Sequence, residues 1–596
     1  MTEDVSNDAS RSARDEGASD RPGVVSRRSP QLAELCERYW RAELERHPTG
    51  ATLLGVHDHD DRLEDLSEDT DAAHRERLDI MVGDLAAISD GAPLGSADRI
   101  TAALLGHQLR VGITSVELRL VELASDQMLG PHAELLMVAA QLTYPEPEHA
   151  EAALVRYSQV PRLLGQALDR FRAGLAAGRT PAAAVLARSL HTLDAYLRGP
   201  LETDPFLAAQ LPAQWTGGDG SSADQWRTEM TDLVRDRIRP AFEMYRNVLR
   251  DELGPRARDD DHAGWCWLPD GDELYAALVG QHTTVDQPPS QLHELGRRLC
   301  EVDLPVEFAT VGADAVGTGD LSAIFDRLRS DPQLRHRDAQ EVIETARRSV
   351  ERATAAMPGW FGRLPTASCA VEPIPDFLAA DAPYAYYFPP APDGSRPGTY
   401  FINTSDPTGS SRTEAESIAF HEAIPGHHLQ ISISQELEDL PSFQRHDGAT
   451  SYIEGWGLYS ERLADEMGLY SSPLDRLGML TADAWRSARL VVDTGLHALG
   501  WSRQQALDYF AEHTPVPTDQ IAPEVDRYLA MPAQALSYKV GQLEIERLRA
   551  TATERLGDRF GVAEFHDVVL GSGAVTLPVL ADLVEDWLDG AVTPSS

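Results

Sequence analysis

From Gln31 onward the chain repeats apolar residues at the spacing of one helix face. In QLAELCERYWRAELERH these are Leu32, Leu35, Cys36, Tyr39, Trp40 and Leu44, which predicts an amphipathic helix. Similar runs recur around 73–90, 97–127, 151–175, 180–199, 223–253, 286–301, 319–330 and 336–356. Pro and Gly mark most of the joints between them. No fixed-period repeat links the runs, so a solenoid is set aside. Segment 254–272 (GPRARDDDHAGWCWLPDGD) predicts a charged loop, where a seam would fall between halves 31–270 and 271–596.

The helical pattern breaks near 369–404. APYAYYFPP, APDGSRPG and TYFINT predict two short aromatic strands joined by a Pro/Gly loop, a hairpin over 384–403. From 413 helix returns almost to the end. The fold class is therefore mainly α, with a small β element before the segment richest in chemistry. Residues 31–596 read as one large helical catalytic domain. Residues 1–30 offer almost nothing to bury and predict a disordered tail.

Charge narrows the partners. The 596 residues carry Lys+Arg 53 against Asp+Glu 95, a net charge of −42. Phosphate repels such a chain, which argues against nucleic acid and anionic membrane. No apolar run approaches the roughly 20 residues of a membrane span, and the polar N-terminus lacks the apolar core of a signal peptide. The expectation is a cytoplasmic protein with no membrane partner. Cys36, Cys266, Cys300 and Cys369 are too few and too scattered for a disulfide scaffold or a cysteine zinc site.

Thr413 and Glu416 have the spacing of a capping box. The helix they would open runs into His421-Glu422-Ala423-Ile424-Pro425-Gly426-His427-His428. Two imidazoles can hold a zinc ion while the adjacent carboxylate takes a proton from the attacking water. On an unbroken helix His427 would point about 120° away from His421, and His428 would sit about 10 Å further along the axis. Neither could share a metal. Pro425 forbids that helix, because it removes a backbone donor and clashes with the preceding turn, and Gly426 tolerates whatever follows. If two residues loop out, His427 becomes the second ligand, with His428 as the alternative. Glu454, in SYIEGWGLYSE, is the candidate third ligand. Gly455 and Gly457 would permit close helix approach, and Glu461 reads as a supporting or surface acid. Two His and one Glu favour zinc, one ion, with Mn or Fe left open.

Four blocks in order, HEAIPGHHLQ, EGWGLYSERL, ARLVVDTGLHALGW and QALSYKVGQLEIERLR, resemble the hallmark blocks of the bacterial domain-of-unknown-function-885 family. The resemblance covers most of 31–596. That family is similar in active-site layout to helical gluzincin metallopeptidases of the angiotensin-converting and oligopeptidase groups. The resemblance implies a zincin-like helical body with a deep cleft, zinc on His421, His427 (or His428) and Glu454, and Glu422 as base. It also favours Tyr538, on a late helix, as an oxyanion donor. It suggests that a strand before the metal helix pairs with substrate, with Tyr400 and Asn403 contributing.

Arg489, Asp493 and His497 fall at i, i+4 and i+8 of one helix. Asp493 could orient His497 as a second oxyanion donor, or the group could be an interhelical polar network. Lys539, the sole lysine, invites a role in anchoring a substrate carboxylate, and Arg489 is a further candidate for binding substrate. His293-Glu294 has no second ligand four residues on and reads as ordinary helix. The leading expectation is a zinc hydrolase of a peptide or related amide bond. Two other readings fit the same residues: a metal enzyme acting on a small biosynthetic amide or other metabolite, and a binding protein with a vestigial site.

Overall fold

The computed structural model describes residues 28–592, apart from 92, 213–214, 216–221, 375–378, 380–382, 392–393 and 395. Most of the expected tail over 1–30 lies outside the described residues. The first helix, Pro30–Arg46, opens where Ser29 Oγ accepts the Leu32 N–H and Pro30 occupies the first turn. Helix then follows helix to Ala356. Segment 254–272 is not a plain loop: it carries short 3-10 turns at Gly254–Arg256, Asp260–His262 and Trp265–Trp267.

Three strands follow: β1 (Cys369–Pro373), β2 (Ala385–Phe388) and β3 (Gly398–Ile402). β3 lies in the middle, antiparallel to β2 with Tyr387 opposite Tyr400, and parallel to β1 with Val371 opposite Tyr400. The aromatic pair matches the expected hairpin. β1 was not expected, because CAVEP is short and ends in proline. β2 is left as an edge strand.

Six helices build the remainder of the site region: α1 (Ala415–Glu422), α2 (His427–Gln435), α3 (Thr450–Glu466), α4 (Pro473–His497), α5 (Thr518–Ala530) and α6 (Ser537–Leu556). The capping box does not form. Thr413 Oγ1 pairs with Ser411, and Glu416 binds Arg352 and Ser471 instead. An ion pair between elements has displaced the local cap.

The main core joins the sheet, α1 to α4 and α6 with the first helices of the chain. Tyr452, Trp456, Tyr459 and Leu463 of α3 are buried in it together with Val540, Ile545 and Leu548 of α6. α3 and α6 touch backbone to backbone. A Cβ on Gly541 would lie 1.8 Å from Ser451 O, and one on Gly455 would lie 2.5 Å from Gly541 Cα. α4 is buried along nearly its whole length, so its polar residues must be satisfied inside the protein. The N-terminal helices have a second core around Leu164, Phe171, Trp226 and Tyr245. Thr101 donates to Gln444 at 2.9 Å and Arg188 to Asp526 at 2.6 Å, linking early and late helices. Among the described residues no helix is long and apolar enough to cross a membrane.

Candidate metal centre

α1 stops at Glu422. Ala423 takes φ −104° and ψ −97°, and Gly426 takes φ −80° and ψ −128°, so the chain makes a tight turn between α1 and α2. Pro425 offers no N–H to extend the helix. Its carbonyl accepts from Trp456 Nε1 at 2.9 Å and Ser460 Oγ at 3.2 Å, so α3 clamps the turn. Gly426 is required here: a Cβ would fall 1.8 Å from the His421 carbonyl oxygen. The turn folds His427 back beside His421, with ring centroids 4.7 Å apart and planes at 87°.

α3 brings Glu454 to the pair. Its Oε2 lies 3.6 Å from His421 Nε2 and 3.5 Å from His427 Nε2. These three side chains could hold a metal ion. Bonds of about 2.0–2.2 Å at tetrahedral angles separate neighbouring ligand atoms by about 3.4 Å, close to the spacing seen. Perpendicular rings let one ion lie in both imidazole planes. The residues present therefore fit a zinc ion.

His421 is fixed from behind. Its Nδ1 lies 2.9 Å from Glu461 Oε1, and Ser417 Oγ donates to Glu461 Oε2 at 2.5 Å. A carboxylate can only accept, so a proton sits on Nδ1, which leaves Nε2, facing Glu454, as the nitrogen that would bind an ion on giving up its own proton. Burial would lower the His421 pKa, but hydrogen bonds with Glu454 and Glu461 and the Glu422 charge outweigh it and bring it up to about 9. Burial pushes the Glu454 carboxyl up, yet its bonds to His421 and His427 hold it well below the usual range. Gly457 makes room for the ring, since a Cβ there would lie 2.7 Å from His421 Cε1.

The centre opens on a cavity of about 900 Å³. His421, Glu422, His427, Glu454, Arg489 and Tyr538 line it, with Tyr386 and Tyr387 of β2 and Met128 from a turn in the N-terminal half. The Tyr538 ring lies 6.3 Å from that of His421 at 22°, and the Arg489 guanidinium sits 4.5 Å over Tyr538. Asn403 reaches the cavity wall but spends its amide on Ala379 O and Ser405.

Other expected residues are not brought to the centre. His428 faces away, with Nδ1 2.9 Å from Tyr387 OH and Nε2 3.1 Å from Ala367 O. His497 accepts from the Trp265 N–H at Nδ1 and donates to Tyr528 O at Nε2. Burial lowers its pKa to about 3, so it is a neutral packing group with no proton free for substrate. Asp493 does not orient it, because its carboxyl accepts from Tyr275 and the Ala533 N–H. Lys539 is buried in an ion pair with Asp483, which Arg462 also binds. Tyr400 is fully buried in the central strand and does not line the cavity. For His428, His497, Asp493 and Lys539 a neighbouring element took the polar group first, which spacing along one helix does not reveal.

A second group that could hold a metal, His57, Asp60 and His149, was missed. Its residues come from a loop and a helix about 90 positions apart, so no motif announces it. Here the rings stack at 4.1 Å and 8°, and parallel planes cannot both contain one ion. Asp60 already accepts from His57, Thr52 and Arg156. The wall residues Glu524 and Arg527 on α5 were also missed, in a helix with no distinguishing pattern.

A mainly α-helical body with a small sheet beside a His₂Glu group defines the class of protein. The chain belongs to a family of bacterial proteins of unknown function, DUF885, whose model matches residues 48–584. No curated protein matches it. Solved structures with this fold include a lipoprotein from Colwellia psychrerythraea, 27% identical with TM-score 0.85, the match covering 94% of this chain and 99% of that one. Another is a lipoprotein of unknown function from Shewanella oneidensis, 17% identical with TM-score 0.70, covering 93% and 99%. Both bear the name lipoprotein, which overturns the expectation of a cytoplasmic chain without a membrane partner. The acidic charge argues against electrostatic adhesion to an anionic membrane, and among the described residues no helix is long and apolar enough to cross one. They say nothing against a covalent lipid anchor.

Proposed function

We propose that this protein is a metal-dependent hydrolase of peptide or related amide bonds, with the active-site layout of helical gluzincins. The observation that carries the reading is the convergence of two perpendicular imidazoles and one carboxylate on a cavity wall beside Glu422. His421, His427 and Glu454 would hold the ion. A bound Zn²⁺ would polarise the substrate carbonyl and make water acidic enough to react near neutral pH.

The chain's own groups supply the remainder. Glu422 takes the proton of the attacking water and returns it to the leaving amine. The Tyr538 hydroxyl donates to the carbonyl oxygen as negative charge develops there. The edge of β2 that carries no further strand among the described residues receives an extended backbone, which favours a peptide over a compact metabolite. Residues 31–596 act as one catalytic body, supported by a cavity whose wall draws on residues as far apart as Met128 and Tyr538. The kinship with the Colwellia lipoprotein supports a place at a membrane, which cell fractionation tests.

The deciding experiment is metal analysis of the purified protein followed by assays on short peptides and small acylated amines. One zinc per chain and peptide cleavage are expected. Glu422→Gln should keep the metal and lose about 10²–10⁴-fold in rate. Full activity in that variant, or a protein that takes up no metal, overturns the proposal.

A further inference from the structure

The cavity wall beyond Tyr538 carries three arginines against one paired acid. Arg489 donates through Nη2 to Glu524 at 3.3 Å and through Nε to Tyr528 at 3.0 Å. Arg527 donates to the same Glu524 at 3.2 Å and to Gln534 at 2.9 Å. Arg486 lines the wall with no carboxylate within 4 Å among the described residues, its guanidinium lying over Trp485. Among the described residues none of the other acids of the cavity outside the metal centre, Asp406, Glu414 and Asp519, lies within 4 Å of the three, and Glu414 feels Arg486 only at longer range. Arg489 is 5% exposed, and its Nη1 and the Arg486 Nε are buried without a hydrogen-bond partner.

Buried guanidinium nitrogens left unpaired cost free energy, and two guanidinium groups, Arg489 and Arg527, sharing the one Glu524 carboxylate leave a local positive excess. An anion arriving there would be met by fork-shaped donors that suit a carboxylate. The sole lysine, already bound to Asp483, cannot serve this purpose.

We infer that Arg489 and Arg527, with Arg486 beside them, form an anion subsite that anchors the free carboxylate of the substrate. This rests on the hydrolase reading and names its substrate class. Arg489 lies 4.5 Å from the Tyr538 ring centre, and that centre lies 6.3 Å from the His421 ring. The guanidinium is therefore within about 11 Å of the His421 ring, and an extended residue spans about 3.3–3.6 Å. The carboxylate sits one or two residues beyond the bond that breaks. The substrates are short peptides or N-acyl amino acids with a free C-terminus, cleaved to release a C-terminal amino acid or dipeptide. Water's oxygen goes to the new acyl carboxylate, its protons are shared between the two products, and the C–N bond is the one lost.

The test uses the metal-loaded full chain and pairs of tripeptides that differ only in a free or amidated C-terminus. The free acid should be favoured by about 10–100-fold in kcat/KM, as expected for a charge-assisted hydrogen-bond pair. Arg489→Gln should erase that preference through KM, with Arg489→Lys restoring part of it. Arg486→Gln, on a less buried side chain, should reduce the preference and serves should the Arg489 variants fail to fold. A structural role alone would not distinguish acid from amide. Titration calorimetry of N-acetylated amino acids into the Glu422→Gln protein separates this inference from the hydrolase reading. Binding that is lost in Glu422→Gln/Arg486→Gln supports the subsite even where no peptide is cleaved. Equal treatment of acid and amide, or carboxylate binding indifferent to the arginines, overturns it.

Discussion

Glu461 binds no substrate, yet the position of His421 depends on it. Its carboxylate, on a side chain 1% exposed, accepts hydrogen bonds from His421 Nδ1–H and the Ser417 hydroxyl. Glu461→Gln keeps the shape but replaces a charged acceptor with an amide that can present its donor end to the ring. Outer carboxylates of this kind are worth about 10–100-fold in metal affinity, and a loss of that size is expected in a competition titration with a zinc chelator. An unchanged affinity would show that the His421 tautomer is set elsewhere. Asp493 poses a different residue-scale question. Burial raises its pKa from 3.8 to about 7, so the folded state holds its proton more tightly than the unfolded state. That stability is complete below pH 4 and is lost as pH rises through 7. Asp493→Asn can still accept from Tyr275 and Ala533. It should therefore gain on the wild type by roughly 2–4 kcal/mol between pH 4 and 8, read from denaturant midpoints at the two pH values. A constant difference between the two proteins would refute the assignment.

At the scale of elements, what could be read from the chain followed from local chemistry. Pro425-Gly426 forbids a continuous helix whatever surrounds it, so the fold-back of His427 toward His421 was legible. The periodic helices and the aromatic strands were legible for the same reason. What surrounds an element was not. α4 presents Arg489, Asp493 and His497 on one stripe, but it is buried on every side, so each group is claimed by a different neighbour. Lys539 was likewise taken by Asp483 of α4. The glycines of α3 and α6 carry an element-scale prediction. Gly541→Ala forces a methyl against the Ser451 carbonyl and separates two helices, whereas Gly457→Ala strikes the His421 ring first. The first should destabilise the fold by about 1–3 kcal/mol, the usual range for overpacking. The second should show mainly as weaker metal binding. Denaturation and chelator competition on both variants check the distinction, and equal behaviour in the two assays would refute it.

For the whole molecule, the two groups of metal-competent side chains make opposing claims on one measurement. His57, Asp60 and His149 belong to a loop and a helix of the N-terminal half, and His421, His427 and Glu454 to late helices. Stacked rings and an acid already bound to Arg156 leave the first group satisfied without an ion. The perpendicular rings of the second converge on Glu454, with His427 Nδ1 buried and unpartnered. An ion that binds only the folded chain stabilises it by RT ln(1 + [L]/Kd), about 2.7 kcal/mol at a hundredfold excess over Kd. The native protein should therefore carry one zinc by intact-mass analysis, and its thermal transition should fall on treatment with a chelator. His57→Ala should leave both the stoichiometry and the chelator response as they are. His427→Ala should lose the ion, and with it any further response to chelator. Two ions per chain, or an ion that departs with His57 and stays without His427, would move the centre to the other end of the molecule and take the proposed chemistry with it.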